Sequence, residues 1–393
     1  MRRKLESTVP AQYVKKRIAN IFQIISHFSA SVLSLLLLLG CVTGAFSQNV
    51  GVNEGNQTVA QLLPGPNNPR NSEGDFITLK DGRILFVYSH YTGTSGSDHG
   101  NAFLAGRYSS DKGKTWTQED IKIVDQEGDM NVMSVSLLRL KNGEIALFYL
   151  RKNSLTDCIP YIRISKDEAK TWSDPRPCIT DKKGYFVLNN NRVIQLKNGR
   201  LLLAVAMHMN PGEMKFSPLG HLWSYFSDDN GRTWKASHEV PNPSGIVTQE
   251  PGMVELKNGH ILMFIRTNTG AQYLSRSRDK GVTWSEIERS NIISPTSPAS
   301  IARIPSTRNL LMVWNNTVNE RRTPLNIAVS KDEGKTWEHV KTLEGNPDRG
   351  YCYIAIHFVD KNVLLSYCAG TRSGGILTQT DIKRLSLDWI MND

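Results

Sequence analysis

The strongest constraint on the fold is an octapeptide that recurs five times along the chain. It reads Ser-x-Asp-x-Gly-x-Thr-Trp at residues 109–116 and returns at residues 165–172, 227–234, 277–284 and 330–337. Its Trp positions are separated by 56, 62, 50 and 53 residues. A repeat of this length indicates a propeller or a linear array of supersecondary units. Only the second copy departs, with Ala169 where the others have Gly.

A second repeat alternates with the octapeptide. Leu-Lys-Asp-Gly or Leu-Lys-Asn-Gly begins at residues 79, 140, 196 and 256, and weaker versions begin at residues 304 and 358. Asp-Gly or Asn-Gly between apolar runs predicts a tight hairpin in which both turn residues have positive φ. Each unit therefore contains four strands, A to D, and six units predict an all-β, six-bladed β-propeller. The sixth unit lacks an octapeptide, and its C-terminal segment is expected to close the ring.

The first 47 residues are typical of an export signal. Basic residues precede an apolar run at residues 31–40, which is too short for a typical membrane span and suits a signal-peptide core. Leu-Leu-Gly-Cys at residues 38–41 resembles a lipobox, which would place a lipid on Cys41; the alternative is cleavage after Ser47. We expect a signal at residues 1–47, a linker at 48–67 and the propeller at 68–393. The mature protein is expected to be exported, as a periplasmic, secreted or lipid-anchored protein.

Charge and cysteine content exclude several classes of function. The formal charge of +10 falls to +5 without the first 47 residues, and no Lys/Arg run remains, so no nucleic-acid surface is predicted. No Cys/His spacing resembles a zinc site, and no metal or cofactor is predicted. Four cysteines remain after the signal and could pair, but their spacing determines neither connectivity nor oligomeric state: Cys158, Cys178, Cys352 and Cys368.

Strand direction predicts where a site would lie. In an antiparallel A–B hairpin the turn lies on one rim, while the start of A, the end of B and the start of C share the other. The octapeptide, at the end of C, returns to the first rim. Residues able to do chemistry gather on the second rim from separate units: Arg70, Asp98, His99, Glu250, Arg266, Arg321, Arg322, Tyr351 and Tyr353. Residues 189–192 (Asn-Asn-Asn-Arg), with Asn190, and His208 lie near the same rim and are expected to line a sugar pocket.

The octapeptide resembles the Asp-box of the sialidase superfamily, and the resemblance covers residues 68–393. It implies that the box Asp residues are structural. It also implies a site in which arginines bind the substrate carboxylate and a Tyr, activated by a Glu, replaces the usual carboxylate nucleophile. By this resemblance Arg70, Arg266 and Arg322 form an arginine triad, Asp98 is the acid/base and Glu250 activates the Tyr.

Several positions depart from the family pattern or stay ambiguous. The family's Tyr-Ser-x-apolar run aligns best with residues 351–354, which favours Tyr351 over Tyr353 as nucleophile. The strand alternation does not choose between them, since both have the same parity. Cys368 stands where the family often has a Glu that braces the first arginine, and Glu73 is a candidate replacement. His99 beside Asp98 is a further departure, expected to contact substrate.

The sequence thus predicts a retaining exo-glycosidase that releases terminal sialic acid, or a related nonulosonic acid, from glycans. Three alternatives stay open. The first is a hydrolase or lyase for a uronate-type sugar, in which His99 would matter more. The second is a glycan-binding propeller without catalysis, which would tolerate the loss of Glu250. The third is a structural surface protein, in which the rim arginines would not converge.

Overall fold

The computed structural model describes residues 55–209, 213 and 215–392. The expected export signal, Cys41 and the first part of the expected linker lie outside the described residues. No helix among the described residues is both long enough and apolar enough to cross a membrane. Within the described residues, the regular structure is all β apart from one short C-terminal helix, α1 (Leu387–Met391).

The strands form four four-stranded sheets and one nine-stranded sheet. The first four-stranded sheet contains β2 (Asn71–Thr78), β3 (Ile84–Tyr91), β4 (Ala102–Ser109) and β5 (Ile121–Val124). The nine-stranded sheet contains β6 (Asn131–Arg139), β7 (Ile145–Ser154), β8 (Asp157–Ser165), β9 (Arg176–Pro177), β10 (Tyr185–Val187), β11 (Val193–Gln195), β12 (Leu201–Met209), β13 (His221–Ser227) and β14 (Lys235–Ala236). Its two halves join only where β10 pairs in parallel with β8, at Tyr185 and Cys158. All other strand pairs in the described residues are antiparallel.

The remaining sheets follow in chain order. One contains β15 (Thr248–Glu255), β16 (Ile261–Thr267), β17 (Ala271–Ser277) and β18 (Glu288–Ile293), and the next contains β19 (Ser300–Arg303), β20 (Leu310–Trp314), β21 (Leu325–Ser330) and β22 (Glu338–Glu344). The last contains β23 (Cys352–Val359), β24 (Asn362–Cys368) and β25 (Thr380–Ser386), with β1 (Asn56–Leu62) at its edge. The segment expected to be a linker is therefore partly a strand, because β1 completes the sheet that the C-terminal strands begin.

Each Asp-Gly or Asn-Gly hairpin turns through three residues rather than two. In the first, Gly82 N donates to Leu79 O at 3.0 Å, and Leu79 N donates to Arg83 O at 2.8 Å. Only the glycines have positive φ, at 86° for Gly82 and 80° to 99° at the equivalent Gly143, Gly199 and Gly259. The expectation that both turn residues are left-handed is wrong, because a type I turn followed by a left-handed Gly also suits the strand twist.

The octapeptides form turns that begin at the ends of β4, β8, β13, β17 and β21. In the first, the Thr115 backbone N–H and hydroxyl donate to the two Asp111 carboxylate oxygens at 2.9 and 2.7 Å. Gly113 N donates to Ser109 Oγ at 2.9 Å, and the same bonds recur in the other four boxes. These contacts give the box Asp residues the structural role expected of them.

Hydrophobic clusters link each sheet to the next in chain order. Leu85 of the first sheet packs with Leu147 of the nine-stranded sheet, for example, and Leu262 packs with Met312 of the sheet that follows. Further clusters join the two halves of the nine-stranded sheet, its second half to β15–β16, and β20–β21 to β23–β24. The last cluster joins the final sheet to the first, since it contains both Leu364 and Phe86. Burial of these shared faces is the main stabilising term of the fold.

Replacing Gly231 with Ala should lower the free energy of unfolding by about 2–5 kcal/mol. Its φ is 78°, which costs an L-residue about 1–2 kcal/mol, and an added Cβ would lie 2.6 Å from Ile162 Cδ1 in the preceding half-sheet. Overpacking of this kind costs about 1–3 kcal/mol more. Gly199→Ala is the matched control, because its φ is also positive but nothing lies within 4 Å of the added Cβ. Urea unfolding that gives equal losses for both variants would contradict the packing role of the box glycine.

Candidate active site

Four sheets open with a strand that is interrupted by a β-bulge. The register shifts in β2, β6, β15 and β23. At the centre of each bulge one residue has a left-handed backbone, with φ of 57° at Glu73, 60° at Ser134, 43° at Glu250 and 58° at Tyr353. Bulges redirect side chains and concentrate beside active sites. All four of these residues line one cavity.

That cavity has a volume of about 620 Å³. Seven of the predicted site residues line it: Asp98, His99, His208, Glu250, Arg266, Arg322 and Tyr353. Asn189, from the predicted stretch 189–192, and Glu73, the candidate brace, line it as well. The remaining polar lining residues had no sequence prediction: Ser134, Lys152, Tyr185 and Gln249. Met133, Leu150, Leu155, Val187, Phe216, Ile376 and Leu377 complete the wall. The rim chosen from strand direction therefore does bring residues from separate sheets together.

Tyr353, Glu250 and Arg266 form a connected chain at the base of the cavity. The Tyr353 hydroxyl donates to Glu250 Oε1 at 3.1 Å, and Arg266 Nη1 donates to Glu250 Oε2 at 2.5 Å. The Arg322 guanidinium lies over the phenol ring, with its Cζ 5.3 Å from the ring centroid. Both arginines thus flank the Glu–Tyr pair.

The charges around this pair set its protonation. Burial works to raise the pKa of Glu250, but Arg266 and Arg322 outweigh it, so the net pKa lies below the usual value. Burial, reinforced by the Glu250 charge, raises the pKa of Tyr353 well above the usual value for a phenol. At neutral pH the site therefore holds a neutral phenol that donates its proton to an ionised carboxylate.

Tyr351 lies elsewhere. It is buried in the hydrophobic cluster of the last two sheets, with its ring centroid 6.1 Å from that of Tyr367, and its backbone N donates to Arg322 O at 2.7 Å. The register shift between Cys352 and Ala355 breaks the alternation that would give both tyrosines the same orientation. The contact with Glu250 favours Tyr353, which reverses the preference drawn from the sequence.

Arg70 occupies a different position from the other two arginines. Its side chain is 1% exposed, and it is not among the residues that line the cavity. Nη1 binds Asp98 Oδ1 and Nη2 binds Glu73 Oε1, both at 2.5 Å, while Cζ lies 4.5 Å from the Tyr91 ring centroid. Glu73 thus braces Arg70 in place of the family Glu, whose position is occupied by Cys368 in this chain. Arg70 holds Asp98 from behind instead of facing the cavity beside Arg266 and Arg322.

Asp98 sits on a clamped loop at the cavity edge. Its carbonyl accepts hydrogen bonds from Lys152 Nζ at 2.6 Å and Asn131 Nδ2 at 3.0 Å. Its side chain is 54% exposed. Partial burial works to raise the pKa of Asp98. Arg70 and then Lys152 lower it by more than burial raises it, so the net pKa is below the usual value. His99 is exposed beside it, and burial and Lys152 lower its pKa.

Asn190 was expected to line the cavity, but it does not. Its side chain is buried below the site, where Nδ2 donates to Gly74 O at 2.9 Å and to Tyr353 O at 3.1 Å. Asn191 continues the tie, since its Nδ2 donates to Asp75 Oδ1 at 2.8 Å and its Oδ1 accepts from Ile356 N at 3.1 Å. These asparagines therefore join β2 to β23 beneath the bulges, and Asn189 takes the predicted place on the cavity wall.

Lys152 is the lining residue that sequence reasoning could have found. It is buried, and it lies near the end of β7, the second strand of its unit, which is a position that the rim argument selects. Ser134 offered no such signal, because only the bulge directs it inward. Within the described part of the chain, no group of three or more His, Cys, Asp and Glu side chains could hold a metal ion.

Comparisons with known proteins agree with the box repeat. A BNR repeat-like domain matches residues 89–363. The chain belongs to the sialidase superfamily of BNR-repeat proteins. It is 27% identical over 214 residues to a sialidase of Bacteroides fragilis, a match that covers 51% of this chain and 37% of that protein. A sialidase of Paraclostridium sordellii is 26% identical over 286 residues, which cover 64% and 68% of the two chains.

Structural similarity extends further than sequence identity. The intramolecular trans-sialidase of Ruminococcus gnavus superposes with a TM-score of 0.67 at 15% identity, over 84% of this chain and 98% of that chain. At that identity the likeness concerns the fold alone. The chain spans only about a third of the length of the Bacteroides sialidase that it matches.

Asn191→Ala should lower the free energy of unfolding by about 2–6 kcal/mol. The change leaves the Ile356 N–H without its partner, at about 1–3 kcal/mol, and removes one hydrogen bond from the buried Asp75 carboxylate, at about 1–3 kcal/mol more. Asp75 keeps its bonds from two backbone N–H groups. Asn198→Ala is the matched control, because its Oδ1 accepts one exposed bond from Arg200 N, and its loss should stay within about 0.5 kcal/mol. Chemical denaturation of both variants measures the difference. Similar stability of the two would contradict the role of Asn191 as a tie.

Proposed function

We propose that this protein is a retaining exo-glycosidase that releases terminal sialic acid, or a related nonulosonic acid, from glycans. The observation that carries the proposal is the Tyr353 hydroxyl at 3.1 Å from Glu250 Oε1, flanked by Arg266 and Arg322. The same cavity also holds Asp98 as a source of a proton. Sialidases are the glycosidases that use a Tyr nucleophile, so this pair favours them over enzymes with two carboxylates.

The two cavity arginines would bind the substrate carboxylate. A guanidinium meets a carboxylate with parallel, charge-assisted hydrogen bonds. Arg266 uses Nη1 for Glu250, and its buried Nε has no partner among the described residues. Arg70 in this proposal is a positioning residue that orients Asp98, since both of its terminal nitrogens are already engaged.

The proposed reaction has two steps. Tyr353 attacks the anomeric carbon while Glu250 takes the phenol proton. Asp98 is ionised in the free site, because its pKa is lowered, so it must first take up a proton, which it then gives to the departing glycosidic oxygen. A neutral phenol suits this attack, because an anionic nucleophile would be repelled by the substrate carboxylate on the same carbon. In the second step the Asp98 carboxylate takes a proton from water, which attacks the sugar and releases Tyr353, and Glu250 returns the proton to the phenolic oxygen.

We also propose that the sheets form a six-bladed propeller. Support comes from the nine-stranded sheet, whose halves join at one residue pair, and from the clusters that link the sheets in order and the last to the first. The cavity-lining bulges would then lie near the central axis. Export, with or without a lipid on Cys41, is proposed from the N-terminal sequence.

The identity of the product is a separate question. One solved structure with the same fold is named an intramolecular trans-sialidase. In an intramolecular reaction of this kind, the sugar itself supplies the attacking group. The mass of the released sugar distinguishes the two outcomes, because an intramolecular product lacks the water that hydrolysis adds. The uronate-specific alternative predicts that His99→Ala destroys turnover, whereas the proposed sialidase retains most of it.

Tyr353→Phe should lower kcat/KM for an umbelliferyl α-sialoside by at least about 100-fold, because it removes the nucleophile. Glu250→Gln should cause a loss of similar size, because it removes the base. Tyr351→Phe is the matched control and should stay within about threefold, since its ring lies in the hydrophobic cluster. Full activity of Tyr353→Phe, or collapse of Tyr351→Phe, would overturn the assignment. A folded parent that binds acidic glycan without releasing product would favour the binding alternative.

Asp98→Asn should discriminate between leaving groups. An umbelliferyl group departs without much help from an acid, so the variant should keep its kcat/KM, which reports the first step alone, within about tenfold on that substrate. Sialyllactose needs a proton on the departing oxygen, and its kcat/KM should fall by about 100-fold or more. Initial rates on both substrates measure the ratio. Equal losses would indicate that Asp98 acts on binding and not on proton transfer.

A further inference from the structure

Two buried cysteines lie next to Arg322, one of the two arginines that line the cavity. Cys352 immediately precedes Tyr353, and Cys368 ends the neighbouring strand β24. The two residues are cross-strand partners and are fully buried. Each thiol shifts the pKa of the other, since Cys368 lowers that of Cys352 and Cys352 raises that of Cys368. The pair is therefore a dithiol at the root of the strand that carries the proposed nucleophile.

Arg322 differs from the other site arginines in its partner. Arg70 binds Glu73 and Asp98, and Arg266 binds Glu250, all of which are carboxylates. Arg322 Nη1 instead donates to Cys352 Sγ at 3.1 Å. A neutral thiol accepts a weaker hydrogen bond from a guanidinium than a carboxylate does. The sulfur must therefore be ionised to hold Arg322 as firmly as a carboxylate would.

The surroundings favour that charge. Burial works to raise the pKa of Cys352, but the Cys368 thiol and then Arg322 lower it, to about 7. The opposite holds for Cys368, whose bond to Cys352 and burial raise its pKa well above the usual value. Cys368 thus keeps its proton and donates it toward a Cys352 thiolate. Glu250 is the acid that opposes this ionisation.

We propose that Cys352, as a thiolate hydrogen-bonded by Cys368, is a positioning residue that braces Arg322 for binding of the substrate carboxylate. This inference rests on the proposed function of the site. Neither cysteine contacts the reacting atoms. Cys352 acts through the direction of the Arg322 guanidinium, and Cys368 acts through Cys352.

The brace also makes the site sensitive to thiol oxidation. Opposed residues on antiparallel strands have Cα atoms about 4.5–5.5 Å apart, which lies within the range of about 4.4–6.8 Å that disulfides span. Hydrogen peroxide is an oxidant small enough to reach a buried sulfur. The Cys352 thiolate attacks one peroxide oxygen and expels hydroxide, which leaves a sulfenic acid. Cys368 then attacks the Cys352 sulfur, and its proton leaves with the sulfenic oxygen as water. The Cys352–Cys368 bond that results removes the charge that holds Arg322.

Kinetics of cysteine variants test the brace. Cys352→Ala in the full chain should raise KM for an umbelliferyl α-sialoside about tenfold and change kcat by less than about threefold, because it weakens carboxylate binding throughout the reaction. Cys368→Ser should have a smaller effect in the same direction. Cys178→Ala is the matched control, since Cys178 is equally buried but lies in another hydrophobic cluster. A Cys352→Ala enzyme with the same KM as Cys178→Ala would overturn the proposal.

A second measurement does not depend on activity. Thiolates absorb ultraviolet light more strongly than thiols, so the difference spectrum between wild type and Cys352→Ser at pH 8 should show a thiolate band. Arg322→Met should remove that band from an otherwise wild-type chain. Absence of the band in the wild type would overturn the brace even if sialosides are cleaved. Presence of the band in a protein that cleaves none would support the Arg322–Cys352 pair and refute the proposed function.

Oxidation gives a third check. After treatment of the reduced protein with hydrogen peroxide, peptide mapping should find Cys352 joined to Cys368, and KM should rise by about tenfold as it does in Cys352→Ala. Dithiothreitol should restore the original KM, and the Cys368→Ser variant should not form the link. A cross-linked enzyme with unchanged KM would show that the thiolate does not position Arg322.

Discussion

The site depends on a set of buried hydrogen bonds between the first strands of different sheets. Bulges release backbone groups from their ladders, and a buried backbone group without a partner is costly. Asn190 meets that need at Gly74 and Tyr353, and Asn191 at Ile356. Two adjacent asparagines thus join strands that are more than a hundred residues apart in the chain. Without these hydrogen bonds, the backbone groups at the bulges of β2 and β23 would be buried without partners, and the bulges would be destabilised.

The bulges in turn decide which side chains reach the cavity. A left-handed backbone at a residue other than Gly costs about 1–3 kcal/mol and persists only when its surroundings enforce it. Here it occurs at Glu73, Ser134, Glu250 and Tyr353, and all four face the same 620 Å³ space. The strained backbone lowers the stability of the fold, but it directs these four side chains into the cavity where the proposed chemistry needs them.

The charges of the site are arranged in pairs, and the pairs differ in how fully they occupy each arginine. Arg70 is satisfied by two carboxylates and serves Asp98, while Arg266 shares Glu250 with a phenol. Arg322 rests on a sulfur. In the proposed function, an entering carboxylate would therefore bind at Arg266 and Arg322, which line the same cavity as Tyr353.

Local periodicity made much of this protein readable from the sequence. The boxes and the Gly-containing turns alternate because each unit is a short antiparallel sheet, and strand direction then assigns Asp98, Glu250 and Arg322 to one rim. The choice of Tyr353 over Tyr351, the withdrawal of Arg70 behind Asp98 and the burial of Asn190 could not be read in this way. Each depends on a bulge or on a contact between distant strands, and a single inserted residue reverses the side-chain alternation on which sequence reasoning relies. The sequence by itself determined the repeating scaffold and the rim, because these follow from local turns. Only the tertiary structure decided which groups meet, because that is set by long-range hydrogen bonds.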